Sequence, residues 1–324
     1  MKVAHWSMFN RSGMFRVAES FAKTECVLGI ESWLVDFAAP DTWEEILDAD
    51  IHVIHTHLPD AARSQLKKKL KTVFFCHGTP EYVFHKSVED GTQGVYGAGD
   101  SWQLIQFWMQ HSDAIVTHVP RHQKIWQSLC DKHTIVDCIP MGIEKDFWKP
   151  VESLGKYLGI PSLFTAENAD YSKWPLDLFL TWPWVWEEVP LSHLHAVYLP
   201  TDQHRWWYPL INRNGCGFKT MTSGGVFTDE QLRNAFVSTD YFIGLVRYGD
   251  FNRLCMEANA CGAKIISYTG NEYADYWLPE GDQRRIAREL VKILKGKIAP
   301  RVRKEAGDII ETSKQMIKIY ERIL

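Results

Sequence analysis

The sequence predicts an α/β protein of two domains, each a parallel sheet with helices on both faces. Three observations carry that expectation. The chain has 324 residues, more than one hydrophobic core usually serves. Short apolar runs rich in β-branched residues recur, and the stretches between them are long enough for helices, the pattern of βαβ units. The alternation then starts again after Met141–Gly159, a segment holding Gly142, Pro150 and Gly155 that reads as a linker without a strand.

In the first half the apolar runs place strands at Val3–Trp6, Ser32–Asp36, Ile51–His55, Thr72–Cys76, Ala114–His118 and Ile135–Ile139. Helices fill gaps between them at Met14–Thr24, Ala61–Leu70 and Gln103–Gln110. The second half gives strands at Ser162–Ala166, His195–Tyr198, Phe218–Met221, Tyr241–Val246 and Lys264–Tyr268, with helices at Leu176–Glu188, Asp229–Ser238 and Arg253–Cys261. Asp229 and Glu230 put negative charge on a helix's first turn, where the dipole favours it. From about Arg303 to Leu324, Ile309, Ile310, Met316, Ile317, Ile319 and Tyr320 recur at helical spacing and predict one amphipathic helix. The expected domains are therefore 1–150 and 151–302, with a helix at 303–324 available to pack back on the first.

Composition narrows the function classes. A hydrophobic fraction of 45% and a charged fraction of 23% are ordinary for a globular protein. The net charge of −4 speaks against a general polyanion binder, though it leaves room for a local basic face. Seven cysteines, odd in number and with no CxxC pair, read as reduced thiols of a cytoplasmic protein. The start MKVAHWSMF lacks the basic and apolar regions of a signal peptide, and no window holds 18 uninterrupted apolar residues, so no transmembrane span is expected. Two Rossmann-like sheets would each open at the carboxyl ends of their strands, where α/β folds bind nucleotide-like or phosphorylated ligands.

Candidate residues follow from that placement. The first βα connection, WSMFNRSGMFRVAES, puts Gly13 after a strand and Ser12 in position to cap the next helix, so free N–H groups face any anion there. There is no GxGxxG and no Walker lysine, and a plain helix cap is the bland alternative. The most informative stretch is Asp240–Gly270. A buried strand ends in a polar Gly-containing loop, a helix starts near Asn252 or Arg253, and Arg247 and Arg253 stand by as cations. Glu257, one turn into that helix, has the carboxylate to accept two hydrogen bonds from a vicinal diol such as a ribose. A solvated helix glutamate is the ordinary alternative. His55 and His57 share one strand face without a third metal ligand nearby, and His118, His122 and His133 are scattered. LKKKLK at Leu66–Lys71 reads as a solvated helix face or an anionic-membrane patch. Trp174, Trp182, Trp184, Trp186, Trp206 and Trp207 read as packing around a helix broken at Pro183, or as stacking surfaces.

MEANACGAKIISYTG, residues 256–270, resembles the EAMACG-(T/A)-P-V-(V/I)-A-(S/T) signature of the family 4 retaining glycosyltransferases, which have the GT-B fold. Other segments are similar to family motifs in the same order: DIHVIHTHLP at 50–59, VFFCHGTPE at 73–81, SDAIVTH at 112–118, IPMGIEKDFWKP at 139–150, and the run from Gly225 to Asp240. The resemblance covers nearly the whole chain. It implies two Rossmann-like domains whose parallel sheets face an interdomain cleft, and transfer of a sugar from a nucleotide-sugar. It also assigns roles. Gly13 matches a glycine touching the donor phosphates, and His77 the histidine beside the transferred sugar. Glu257 matches the second glutamate of Glu-x7-Glu, used on the ribose. Lys173 matches the lysine of a diphosphate-holding G-R-L-x-x-x-K-G run. Val226, Phe227, Arg247, Asn252 and Arg253 complete the expected donor site.

Two positions depart from the pattern. Glu167 stands where the family has the diphosphate arginine, and Gly249 where it has the first glutamate. Either the neighbouring Asp250 takes that glutamate's place or the sugar is held differently, and Arg247 or Arg253 would supply the missing charge. The implied reaction needs no metal and no cofactor beyond the nucleotide-sugar, with UDP- or GDP-type donors expected. A glycan, a lipid or, in a viral member, a hydroxymethylated DNA base would be the acceptor, and peripheral membrane contact is compatible with it. The rival readings are a non-catalytic GT-B binding or scaffold protein, to which Glu167 and Gly249 point, and a GT-B sugar-nucleotide epimerase or phosphorylase.

Overall fold

The computed structural model describes residues 1–7, 13–36, 48–55, 70–77, 109–166, 176–197, 217–220, 227–245 and 252–324. They divide into two compact units, Met1–Glu144 with Gly307–Leu324, and Lys145–Ala306.

The first unit is a parallel sheet in which β1 (Lys2–Ser7), β2 (Glu31–Asp36), β3 (Ile51–Ile54), β4 (Lys71–Phe75), β5 (Ala114–Thr117) and β6 (Ile135–Cys138) take the order β2-β1-β3-β4-β5-β6. Being covered on both sides, its strands are almost continuously apolar. One face carries Ala4, Trp6, Ile54, Phe74, Cys76 and Ile115 against Trp126. Trp126 belongs to helix α2 (Pro120–Leu129), which starts with its proline in the first turn, where the missing N–H costs nothing. The other face is shielded by α1 (Gly13–Val27), whose Phe21 stacks on His5 and meets Phe75 edge-on.

The second unit repeats the plan with β8 (Ser162–Thr165), β9 (His193–Ala196), β10 (Phe218–Thr220), β11 (Tyr241–Gly244), β12 (Lys264–Tyr268) and β13 (Tyr276–Leu278), in the order β10-β9-β8-β11-β12-β13. Helix α3 (Leu176–Glu188) and α6 (Gln283–Leu294) bury Phe179, Trp182, Ile286 and Leu290 against Leu163, Ile243 and Ile266. Helix α4 (Asp229–Ser238) places Phe236 against Phe164 and Phe242 on the opposite face.

Several details differ from the sequence expectation. Helix α3 runs unbroken through Pro183, because burial of Trp182 and Val185 outweighs the one hydrogen bond that proline removes. The linker contains a strand after all. Gly142–Ile143 (β7) pairs with Gly307–Asp308 (β14), and a Cβ on Gly142 would overlap the Asp308 backbone, so only glycine permits this approach. The C-terminal helix α7 (Ile309–Ile323) starts at Ile309 rather than near 303. Asp308 caps it by accepting from the Ile310 N–H at 2.8 Å, while Arg303 is held by Asp275 at 2.6 Å. The second strand of unit two lies at 193–196, two residues ahead of the apolar run, because its ladder with β8 pairs Ser162 with His193. Helices α2 and α6 went unpredicted. Those expected at 61–70 and 103–110 lie almost wholly outside the described residues.

Candidate functional site

In a doubly wound sheet the binding crevice opens where the strand order reverses. In the second unit that point lies between β8 and β11. Helix α5 (Arg253–Ala260) starts just beyond β11. Its first turn is fixed by Asn252, whose side chain accepts from the Leu254 N–H at 3.0 Å. Gly244, the last residue of β11, lets the helix start lie against the strand. A Cβ there would come within 2.7 Å of Cys255 Sγ and 2.8 Å of Asn252 Nδ2. A hydrogen-bond chain locks the same corner, with Ser267 Oγ donating to the Gly244 carbonyl at 2.6 Å and Asn271 Nδ2 donating to Ser267 Oγ at 3.1 Å. Gly244→Ala is therefore expected to cost about 1–3 kcal/mol and to displace the Asn252 cap, which a thermal melt together with nucleotide titration would detect.

Glu257 lies on α5 and is fully buried. Arg253 Nε donates to its Oε1 at 2.7 Å. The arginine is only 7% exposed, so this pair sits in a low dielectric and orients the carboxylate firmly. Burial first, and then the Glu257 charge, push the nearby Cys261 thiol up to about 12. Phe227 is buried at the foot of α4. The following Thr228 and Gln231 form a reciprocal capping box, with the Gln231 N–H to Thr228 Oγ1 at 3.2 Å and the Thr228 N–H to Gln231 Oε1 at 2.8 Å.

The first unit has its strand-order reversal at β1, between β2 and β3. Gly13 opens α1 directly after the β1 connection, is exposed, and would accommodate a Cβ with none of the described atoms within 4 Å. Packing against the described residues therefore does not require glycine there. His77 stands just past β4 and is half-buried. Its Nε2 is 3.2 Å from His55 Nδ1, and His55 Nε2 is 2.9 Å from His5 Nδ1. His5 Nε2 in turn is 2.8 Å from Glu25 Oε2. Tyr320 of α7 and Ser32 also donate to Glu25, each at 2.8 Å. The ring of His118 packs beside His77 and Phe75.

His52, on the other face of β3, accepts from Trp6 Nε1 at 3.1 Å, and burial lowers its pKa to about 4. Burial likewise depresses His55, helped by repulsion from His5, His77 and His118. A histidine held neutral in the fold but not in the unfolded chain contributes stability that is present above pH 6.5 and lost on acidification. Denaturant midpoints should therefore fall between pH 6.5 and about 4, and His52→Gln should flatten that slope.

Of the expected site residues, Gly13, His77, Asn252, Arg253, Glu257 and Phe227 are placed as described. Asn252, Arg253 and Glu257 gather on one helix start, and the Arg253 side chain is turned to Glu257. Val226, Lys173, Asp250 and Arg247 lie outside the described residues, as do Glu167 and Gly249. Sequence reasoning missed Glu25, His5, Tyr320 and the placement of His118. The available signal was a histidine at or near the carboxyl end of β1, β3, β4 and β5 in turn. Among the described residues no group of three His, Cys, Asp or Glu is arranged to hold a metal ion, and no helix is long and apolar enough to cross a membrane.

Neither a family model nor a curated protein matches the sequence. Solved structures do. Sucrose-phosphate synthase from Thermosynechococcus elongatus superposes with a TM-score of 0.73 at 10% identity, covering 100% of this chain and 99% of that one. Anabaena Alr3699/HepE in complex with UDP and glucose gives 0.66 at 13% identity, with 99% of each chain covered. The E. coli trehalose-6-phosphate structure bound with UDP-2-fluoro glucose gives 0.65 at 13% identity over 100% of both chains. The chain has the GT-B fold. A GT-B chain contains two separate doubly wound sheets, which is why the residues above fall at two strand-order reversals, one in each unit.

Proposed function

We propose that this GT-B protein is a retaining glycosyltransferase that moves a sugar from a UDP- or GDP-type nucleotide-sugar to a hydroxyl acceptor without a metal ion. The observation that carries the reading is the start of α5 at the strand-order reversal, with Asn252 capping it and the Glu257 carboxylate one turn inside, oriented by Arg253. A helix N-terminus attracts phosphate through its free N–H groups and its dipole, and a carboxylate beside it accepts the hydroxyls of a ribose. Solved structures of the same fold hold UDP with glucose, or UDP-2-fluoro glucose.

In this reading Glu257 binds the ribose, and Asn252, Phe227 and Val226 shape the nucleotide end. Lys173 and Arg247 meet the diphosphate, Arg253 being engaged with Glu257. Asp250 holds the sugar, and Gly13 and His77 keep the phosphate and sugar roles that the family resemblance implies for them. As the anomeric C–O bond breaks, its electron pair passes to the diphosphate, where the two cations and the helix N-terminus stabilise the developing charge. The acceptor oxygen bonds to the anomeric carbon from the same face, and its proton goes to the departing phosphate oxygen. That path preserves the anomeric configuration and uses no separate base. The acceptor is a glycan, a lipid or a hydroxymethylated DNA base, and the reaction belongs in the cytoplasm.

The test is to incubate the full chain with UDP-glucose, GDP-mannose and a panel of the three acceptor classes, with and without EDTA. Proton NMR then reads the anomer formed. An α-linked product from an α-linked donor, insensitive to EDTA, is expected; an inverted product or a metal requirement would contradict the mechanism. Release of free sugar and nucleotide without acceptor would favour the epimerase reading. Gly13→Ala supplies a cleaner probe. With none of the described atoms within 4 Å of that Cβ, stability should change by less than about 0.5 kcal/mol, whereas donor affinity should fall.

A further inference from the structure

The amino-terminal edge of the second sheet, opposite the edge at which α5 begins, carries a surface that the proposed transfer does not use. Ile160 and Leu191 stand just ahead of β8 and β9, where the Ile160 N–H donates to the Leu191 carbonyl at 2.7 Å. Their side chains are 76% and 66% exposed. Val302 is 98% exposed and stands at the same edge. Its neighbours fix it there, since the Arg301 N–H donates to the Asp275 carbonyl just ahead of β13, and Arg303 Nη1 to the Ala263 carbonyl just ahead of β12. One exposed aliphatic side chain is ordinary, whereas several along one edge mark a surface that meets something.

The charge around them is as uneven. Residues 283–304 hold nine cations and a single acid, Glu289. The chain carries −4 in total, so the +8 of this segment leaves −12 for everything else. The carboxylates of Glu188, Asp240 and Asp275 already face Lys295, Lys156 and Arg303. Lys264 at the start of β12, Lys297 just past α6, and Arg301 are exposed and form no ion pair with the described residues. The Arg301 guanidinium lies over the Trp277 ring, which holds the cation at the edge.

We propose that this edge docks on an anionic lipid bilayer, with Lys264, Lys297 and Arg301 against the headgroups and Ile160, Leu191 and Val302 in the interface. The cations alone would suit a nucleic acid equally well, but that partner leaves the aliphatic side chains in water. A bilayer takes both, because its surface is anionic and the layer beneath it is apolar. Docked this way, the carboxyl edge of the sheet, with the start of α5, points away from the lipid and stays open to a water-soluble nucleotide. The docking does not depend on the transferase reading, and either can fail without the other.

Flotation of the full chain with vesicles tests it, using phosphatidylcholine alone and equal parts of phosphatidylcholine and phosphatidylglycerol. Binding to the mixed vesicles only, released by added salt, is expected. Lys297→Gln and Arg301→Gln should each weaken it about fivefold. A separate double variant, Ile160→Ser with Leu191→Ser, should weaken it although every charge is kept. All four positions are exposed, so circular dichroism melts should match the parent's, and the two sets of variants guard against one misfolding. Substituting Lys67, Lys68 and Lys69 by Gln, in the other basic run, should leave binding unchanged. Equal binding to phosphatidylcholine alone, binding lost only in that last variant, or binding unchanged by both edge sets would overturn the proposal. So would capture of a DNA duplex by a chain that ignores the mixed vesicles.

Discussion

Glu25→Ala should lower the stability of the first unit by about 3–5 kcal/mol, the penalty for breaking a buried charged network by removing one partner. The side chain itself is small, but its neighbours are not free to find other acceptors. The Tyr320 hydroxyl, the Ser32 hydroxyl and His5 Nε2 would all be left in a dry interior, each unsatisfied group costing about 1–3 kcal/mol with incomplete additivity. Because Glu25 is on α1, His5 on β1, Ser32 on β2 and Tyr320 on α7, one carboxylate ties four elements together across 295 residues of sequence. Burial and the neighbouring carboxylate push the tyrosine pKa well above its ordinary value, so the hydroxyl remains a donor throughout the neutral range. A melting transition lowered by on the order of 10 °C is expected for Glu25→Ala, and a smaller loss for Tyr320→Phe, which deletes one donor and leaves the carboxylate with two. A Glu25→Ala melt superimposable on the parent's would show that the network contributes nothing.

The second large effect is on ligand binding. At about 100 times its dissociation constant a nucleotide should stabilise the parent by about 2.7 kcal/mol, and Glu257→Gln should abolish that increment. The substitution preserves shape but removes the charge that orients Arg253 and that, in the proposed reading, accepts the ribose diol. Its stability without ligand should also fall, since a guanidinium only 7% exposed would then face a neutral amide. The informative quantity is therefore the difference between melts with and without nucleotide, taken separately for each protein. A ligand-induced shift equal to the parent's would remove Glu257 from the binding site.

Much of the fold was legible because strand and helix periodicities differ. Leu176–Glu188 and Asp229–Ser238 have the boundaries that apolar spacing and charge predicted. The failures have physical causes. Pro183 reads as a breaker only if one lost hydrogen bond outweighs the burial around it, and here it does not. The two-residue strands β7 and β14 carry no periodicity; they exist because Gly142 lets the segment before α7 come close, a long-range fact. Helix α6, with its buried Ile286, Leu290 and Ile293, does show helical spacing and went unread among its charges. The candidate site divides in the same way. Asn252 and Glu257 were readable from a local strand–loop–helix pattern. The pairing of Glu25 with Tyr320 was not, because nothing local in either sequence segment records the other.

Nucleotide binding is measured most directly by isothermal titration calorimetry of the full chain with UDP, UDP-glucose and GDP-mannose. Saturable one-to-one binding is expected for one base, weakened in Gly13→Ala and lost in Glu257→Gln while both variants stay folded. No heat from any nucleotide in folded protein, or equal binding by parent and Glu257→Gln, would contradict it.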